Sequence, residues 1–600
     1  MSANQSYLTE QKYNYDMVLG TTQASINATM KNFLYKYDGQ EFVKCYVGQF
    51  NPKTKKNEIV ETDYEQLKTD VGFDPFAIPD ATASDDPRLK SLYDKKFAFG
   101  FKSTMGLPTN FPLSDIPDVI TLDKGNSLVT YALTCKNFEI INMSDQWGTL
   151  TWANIKQSEQ KAPWTFKFNV SLDLFSNDSA FSHLPADVQN QVKNLCPSSM
   201  FSVQQLYLDL NTAGLESAPT VANLPPTSTA YVFLTRVFLN AYFLNLQNKG
   251  VSPSNPKGNY LLGYAIKPSK AGNISSIVPT DLNFMVSPYL DDKGIATKNY
   301  DLYTLNWLVM TKSHTMPAPV PFEWNWVDKA NESSFSGAMS IKKTIFAQFI
   351  NQLFSPTLSQ ISLIPTVDID VNLIKISVTC SCAQNPNPGT YTLVNDTTSR
   401  VATFSYSKSA HDSDTFVPNW GNVTLRPSVQ SDIYFEGSVI RCVTTAGAWM
   451  HLNVEGGVSE GDLVKYKCET KYQLAVDADG KLNVTMLPAV FTDLSHFDTN
   501  AWSQFITLGS IDGMISSIKG YWEVMKSYLA GESQTILAML NGSSTWVFPG
   551  GETLVFKDVA FSSHQDFVSH VTYAEPTAKR LMAARVSFDA EKGIVKGKTI

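Results

Sequence analysis

Residues able to do chemistry are few in this 600-residue chain, and their spacing is poor for it. Gly457-Val-Ser-Glu-Gly461 matches G-x-S-x-G, a pattern whose serine in hydrolases sits on a strained turn between a strand and a helix. Here the next residues, Asp462 to Cys468, alternate as a strand does. The required helix is missing, so a hairpin turn is expected. Asp477-Ala-Asp-Gly480 carries the opening of a calcium loop without its remaining oxygen ligands or the glutamate at loop position 12, and again reads as a hairpin turn. The histidines His183, His314, His411, His451, His496, His564 and His570 fall in no metal-ligand spacing. Cys380 and Cys382 would share one strand face, but a C-x-C pair alone does not make a metal site. No phosphate-binding loop or dinucleotide glycine fingerprint is present. The expectation is a non-enzymatic protein with no catalytic residue, no metal and no cofactor.

What the chain does offer is apolar surface in helical register. Ile345, Phe346, Phe349, Ile350, Leu353 and Phe354 recur so that one wide face of a helix from about Ser340 to Phe354 is bulky and apolar, with Pro356 expected to end it. Aromatic extended segments, LYTLNWLVM from Leu302 and PFEWNWV from Pro321, lead into it. A second periodic segment places Ile511, Met514, Ile515, Ile518, Trp522, Met525 and Leu529 on one side, and Gly531 closes it. Such faces fit core helices covered by sheets, or helices bordering a cavity for a hydrophobic ligand. In the second case the lining residues are Phe346, Phe349, Ile350 and Phe354 on one helix and Ile515, Ile518, Trp522 and Met525 on the other.

The remaining elements are mostly strands. A first helix is predicted from about Gln23 to Tyr35, with Thr22 as its N-cap. Residues 53–88 read as loops and excursions. Apolar residues then fall on alternate positions at Phe97–Phe101, Leu128–Leu133 and Trp164–Val170. Leu184 to Leu195 reads as a short surface helix, and Ala230 to Leu246 is apolar nearly all round and must be buried. TVDIDVNL, from Thr366, alternates as a half-buried strand, and the shift of phase at Ile374 suggests a bulge near Leu373. NPNPG at Asn385 to Gly389 marks a boundary, after which strands resume and a meander runs from Ile433 to Met486.

Composition narrows the classes. Charged residues make up 17% of the chain, against roughly 25% in ordinary soluble domains. A net charge of -8 argues against nucleic acid, which needs clustered Lys and Arg to neutralise phosphates. No apolar run reaches the ~18 residues of a membrane-spanning helix, and peripheral membrane contact is compatible with the sequence. The first 20 residues lack a signal-peptide pattern. The seven cysteines are too scattered for a disulfide scaffold and read as buried thiols. A cytoplasmic location, or release without a classical signal, is expected. Tyr13, Tyr15, Trp147, Trp152 and Trp420 are candidate surface aromatics for an interface.

LNW at Leu305 to Trp307, WNW at Trp324 to Trp326 and GAMSIKKTIF at Gly337 to Phe346 resemble the accessory proteins encoded beside clostridial neurotoxins of the OrfX type. YDMV at Tyr15, QLYLDL at Gln205, LLGYAI at Leu261 and FMVSP at Phe284 extend the resemblance, in order, over about residues 10 to 370. That family has the tubular lipid-binding (TULIP) fold. The resemblance implies an elongated α+β architecture in which long amphipathic helices are wrapped by curved antiparallel sheets. The break at Asn385 to Gly389 divides the chain into a TULIP-like region, 1–384, and a second β-rich unit with a long C-terminal helix, 385–600. The resemblance also implies a lipid or hydrophobic small molecule as ligand in a toxin-accessory role. The alternative is a structural or protein-interaction component of a toxin or delivery complex with a fully packed, ligand-free core.

Overall fold

The computed structural model describes residues 2–36, 41–112, 115–125, 128–176, 201–215, 261–268 and 279–573, with gaps at 375, 395–397, 479, 481 and most of 498–553, together with 231 and 277. Strands dominate: they form 52% of the structure and helix 16%. The expected α+β architecture of long amphipathic helices wrapped by sheets is therefore corrected to a mostly β protein. The physical reason lies in the chain itself, where two-residue alternation recurs far more often than the 3.6-residue period.

Five antiparallel sheets are present among the described residues. A seven-stranded sheet runs in the order Pro279–Ser287, Thr304–Thr311, Met17–Thr22, Gly337–Ile341, Phe567–Tyr573 and Leu554–Phe556, with Ala560–Phe561 beside Phe567–Tyr573. It draws strands from both ends of the sequence. Its inner strands approach closely where glycines meet. A Cβ on Gly337 would run into the Gly20 carbonyl oxygen, and one on Gly20 would lie 2.6 Å from Asn306 Oδ1 and 2.9 Å from the Trp326 ring. Those contacts seat the LNW and WNW segments against the sheet. The hairpin of Leu363–Val371 with Ile376–Gln384 lies against an eight-stranded sheet, and two five-stranded sheets complete the set. In that largest sheet Asn419–Glu436, Val439–Val454 and Gly457–Val476 form long, continuously paired ribbons.

Four α-helices are described: Gln23–Lys36, Tyr64–Val71, Pro87–Asp94 and Lys343–Ile361. Thr22 serves the first as expected, its hydroxyl accepting from the Ser25 amide at 3.3 Å. The fourth, at 19 residues the longest of them, does not end at Pro356. Proline removes one amide and crowds the preceding turn, yet the helix carries on to Ile361. Ser355 Oγ donates to the Asn351 carbonyl at 2.7 Å and Ser359 Oγ to the Pro356 carbonyl at 2.8 Å, holding both turns beside it. The anticipated bulge near Leu373 is a hairpin turn: Val371 pairs with Ile376, and the Asn372 side chain accepts from the Ile374 amide. A turn reverses the chain and so shifts the alternation just as a bulge would.

The core is one apolar cluster that takes residues from all five sheets and from the Lys343–Ile361 helix. A satellite cluster holds Tyr13, Tyr15, Phe322, Trp324 and Trp326, whose rings meet at 4.9 to 6.1 Å. Tyr13 and Tyr15, expected at the surface, are therefore buried, as is Trp152 in a further cluster with Phe76, Phe97 and Ile141, whereas Trp147 and Trp420 are exposed. The expected helices at 184–195 and 511–529 and the apolar segment 230–246 lie outside the described residues, save for Tyr231 and the helical Ser516, Gly520 and Glu523.

Candidate functional site

The apolar face that begins after Gly337–Ile341 packs as a helix because its bulky residues cover the interior of the sheets on one side. Phe346 and Ile350 are fully closed off, and Phe354 and Phe349 nearly so, Phe349 keeping 8% of its surface. The Phe346 ring is met by Phe567 at 4.9 Å, Phe435 at 5.4 Å, Phe561 at 5.7 Å and Phe349 at 6.0 Å. Phe354 meets Tyr472 edge-on at 5.4 Å. The structure thus gathers Phe346, Phe349, Ile350 and Phe354 around one interior region, walled by the eight-stranded sheet and by the C-terminal strands. Leu353, on the same face, is only half-buried, so the apolar core reaches the surface there. Ile515, Ile518, Trp522 and Met525 lie outside the described residues.

A polar clasp holds the start of this helix. Lys342, at the N-cap position, gives no side-chain cap. The carboxylate of Asp566, far along the chain, does so instead. Its Oδ1 accepts from the Lys343 amide at 2.9 Å, while Oδ2 accepts from the Leu8 amide at 2.6 Å and the Ser6 hydroxyl at 3.0 Å. An anion at the helix N-terminus is favoured by the aligned peptide dipoles. Burial nevertheless pushes the Asp566 carboxyl up to about 6, against the pull of these donors and of the Lys343 charge. A second buried carboxylate, Asp16, accepts from the Thr311 amide at 2.8 Å and its hydroxyl at 2.9 Å, and meets His314 Nδ1 at 2.7 Å. Sequence reasoning missed both, since nothing local links Asp566 to Lys343 or Asp16 to Thr311.

The other residues with chemical potential are dispersed. Ser459 lies within the Gly457–Val476 strand, just past a turn at Glu455–Gly456, and is buried opposite Leu452. His451 pairs with Glu460 on the other face of that ribbon, its Nδ1 3.1 Å from the Glu460 carboxylate, so serine and histidine point apart. Asp477 and Gly480 form the expected turn, with the Gly480 amide donating to the Asp477 carbonyl. Cys380 and Cys382 share a buried face as unbridged thiols, held neutral because burial pushes them up to about 12 and about 11. Among the described residues no cluster of His, Cys, Asp and Glu could hold a metal ion, and no helix is long and apolar enough to cross a membrane.

No protein-family model and no curated protein matches the sequence. Among solved structures the chain is similar to a lipopolysaccharide binding protein, at 10% identity over 93% of this chain and 99% of that one, with a TM-score of 0.27. So loose a superposition carries no argument about fold or ligand here.

Proposed function

We propose that this chain is a non-enzymatic binder of lipid or another apolar ligand. The observation that carries the reading is a single apolar core, shared by all five sheets and the Lys343–Ile361 helix, that reaches the surface at the half-buried Leu353 beside Phe349. Ligand sites for apolar molecules are concave and walled by aliphatic and aromatic groups with few polar ones, and this interior supplies such walls. The resemblance to OrfX-type accessory proteins adds a toxin-complex setting to the same reading. A second reading, a packed protein-interaction component of such a complex, is favoured by the complete closure of Phe346 and Ile350 by protein.

A displacement titration with a fluorescent fatty acid separates the two. For a ligand binder, wild type shows saturable binding, and Phe349→Trp, which fills space next to Leu353, weakens it. Ile350→Phe enlarges a fully enclosed residue and serves as the overpacking control, costing about 1 to 3 kcal/mol of stability. Wild type without saturable binding leaves the packed reading. Unchanged binding by Phe349→Trp moves the ligand away from this helix.

A further inference from the structure

One end of the eight-stranded sheet, together with the turn of the 363–384 hairpin that lies against it, leaves large apolar side chains in solvent. Three turns meet there. The turn after Val371 carries Leu373 and Ile374, 67% and 94% exposed; the turn after Phe416 carries Val417, 84% exposed, with Phe416 and Trp420 at its flanks; and the turn at Glu455–Gly456 is followed by Val458. Hydrogen bonds join the three into one surface. Asn419 Nδ2 donates to the Asn372 carbonyl at 2.9 Å, and the Glu455 amide donates to the Trp420 carbonyl at 3.1 Å. Below the turns the same hairpins are riveted together, since Asp412 and Asp414 accept from the Ile369 and Val371 amides, each at 2.8 Å.

Scattered apolar residues on a surface are ordinary, whereas a contiguous group marks contact with something apolar. We propose that this end of the sheet is a docking surface for the lipid bilayer, entered by the turns of residues 372–374, 416–420 and 455–458. The inference rests on the lipid reading above and names where lipid is met.

Three features favour a bilayer over a folded partner. The apolar residues sit on exposed turns at strand ends, a placement that suits entry into a deformable apolar phase. Part of the backbone of these turns is satisfied from within: the Ile374 amide donates to Asn372 Oδ1, the Glu455 amide to the Trp420 carbonyl, and Pro418 has no amide to satisfy. Polar backbone left without partners is what makes irregular loops costly in lipid. Trp420 adds a ring that is apolar with one polar edge, the kind enriched where membrane meets water.

Charge narrows the lipid. Along the chain the charged residues nearest the turns are Asp370, Lys375, Asp414 and Glu455, three acidic and one basic. With acidic residues in the majority and a lone lysine among them, insertion is driven by apolar contact and no basic cluster draws anionic headgroups. This sets the surface apart from basic patches that read negatively charged membranes.

The test is flotation of the full chain with phosphatidylcholine vesicles, with and without added phosphatidylserine, for wild type, Ile374→Asp and the Ile374→Asp/Val417→Asp double variant. These positions lie in solvent, so a charge there leaves the fold intact, which circular dichroism and the thermal midpoint verify. Wild type is expected to float with phosphatidylcholine alone, and the double variant to lose about tenfold or more in partitioning. Each protein is also titrated with the fluorescent fatty acid and examined by sedimentation velocity. Lost flotation with retained acyl binding upholds the surface and separates it from the interior site. Equal flotation of all three proteins, flotation that needs phosphatidylserine, or no flotation of wild type overturns the proposal, whatever the acyl titration gives. A concentration-dependent dimer of wild type that the double variant lacks also overturns it, in favour of a second copy of this chain.

Discussion

The Lys343–Ile361 helix and the three-turn end of the eight-stranded sheet use the same residue types in opposite surroundings. Phe346 and Ile350 find partners within the chain on every side, while Ile374 and Val417 find almost none. Apolar composition alone therefore does not distinguish a side chain that stabilises the fold from one that waits for a partner. The difference is whether neighbouring elements converge, as the sheets do on the helix, or end, as the hairpins do at their turns.

The largest expected effect sharpens the helix side of this comparison. Phe346→Ala removes a ring packed against Phe435, Phe561 and Phe567 and leaves a cavity that the three strands carrying them and the helix cannot easily close. Urea unfolding should show a loss of about 3 to 5 kcal/mol. A loss below about 1 kcal/mol would mean that the interior is looser than its geometry, and the contrast between the two regions would collapse.

Next in size is the clasp that holds the helix in place. The Asp566 carboxyl rises from 3.8 in the unfolded chain to about 6 in the folded one, chiefly through burial. The folded state therefore holds this proton more tightly. Its stabilising contribution is fully present below 3.8 and is lost as pH rises through about 6, a difference of about 3 kcal/mol at most. Asp566→Asn, which cannot ionise, should flatten this part of the stability profile between about pH 4 and pH 7, read from urea midpoints across that range. Wild type and variant with parallel profiles would show that another group sets the pH dependence.

Local pattern disclosed the elements better than their partners. The Phe346 face and the alternation at Phe97, Leu128 and Val367 were legible because side-chain period follows backbone geometry directly. The hairpin at residue 373 was mistaken for a bulge because both shift the alternation in the same way. Continuation through Pro356 was hidden because hydroxyl-to-carbonyl bonds from Ser355 and Ser359 hold turns that proline statistics would end. The fold class went astray at a higher level: the resemblance implied long helices wrapped by sheets, while the many short alternating runs were the larger signal. The clasp was invisible, since Ser6, Lys343 and Asp566 meet only once the seven-stranded sheet has drawn both ends of the chain together. Exposure at Ile374 and Val417 was equally hidden, because a strand pattern does not reveal where its neighbours stop.

The smallest expected effect breaks the comparison if it fails. Ile374→Asp and Val417→Asp place charges on side chains that make little contact with the rest of the protein, so folding should hardly register them. Each should leave stability within about 0.5 kcal/mol of wild type, as substitutions at open surface positions do. Val423→Asp, on the same ribbon but sealed inside the sheet core, should be severely destabilising, because a buried carboxylate without partners is costly. The same chemical change is then silent at the turn and disruptive a few residues along the strand. If Ile374→Asp lowered the unfolding midpoint in urea as Val423→Asp does, the turns would be packed against the molecule in solution, and their apolar residues would need no outside partner.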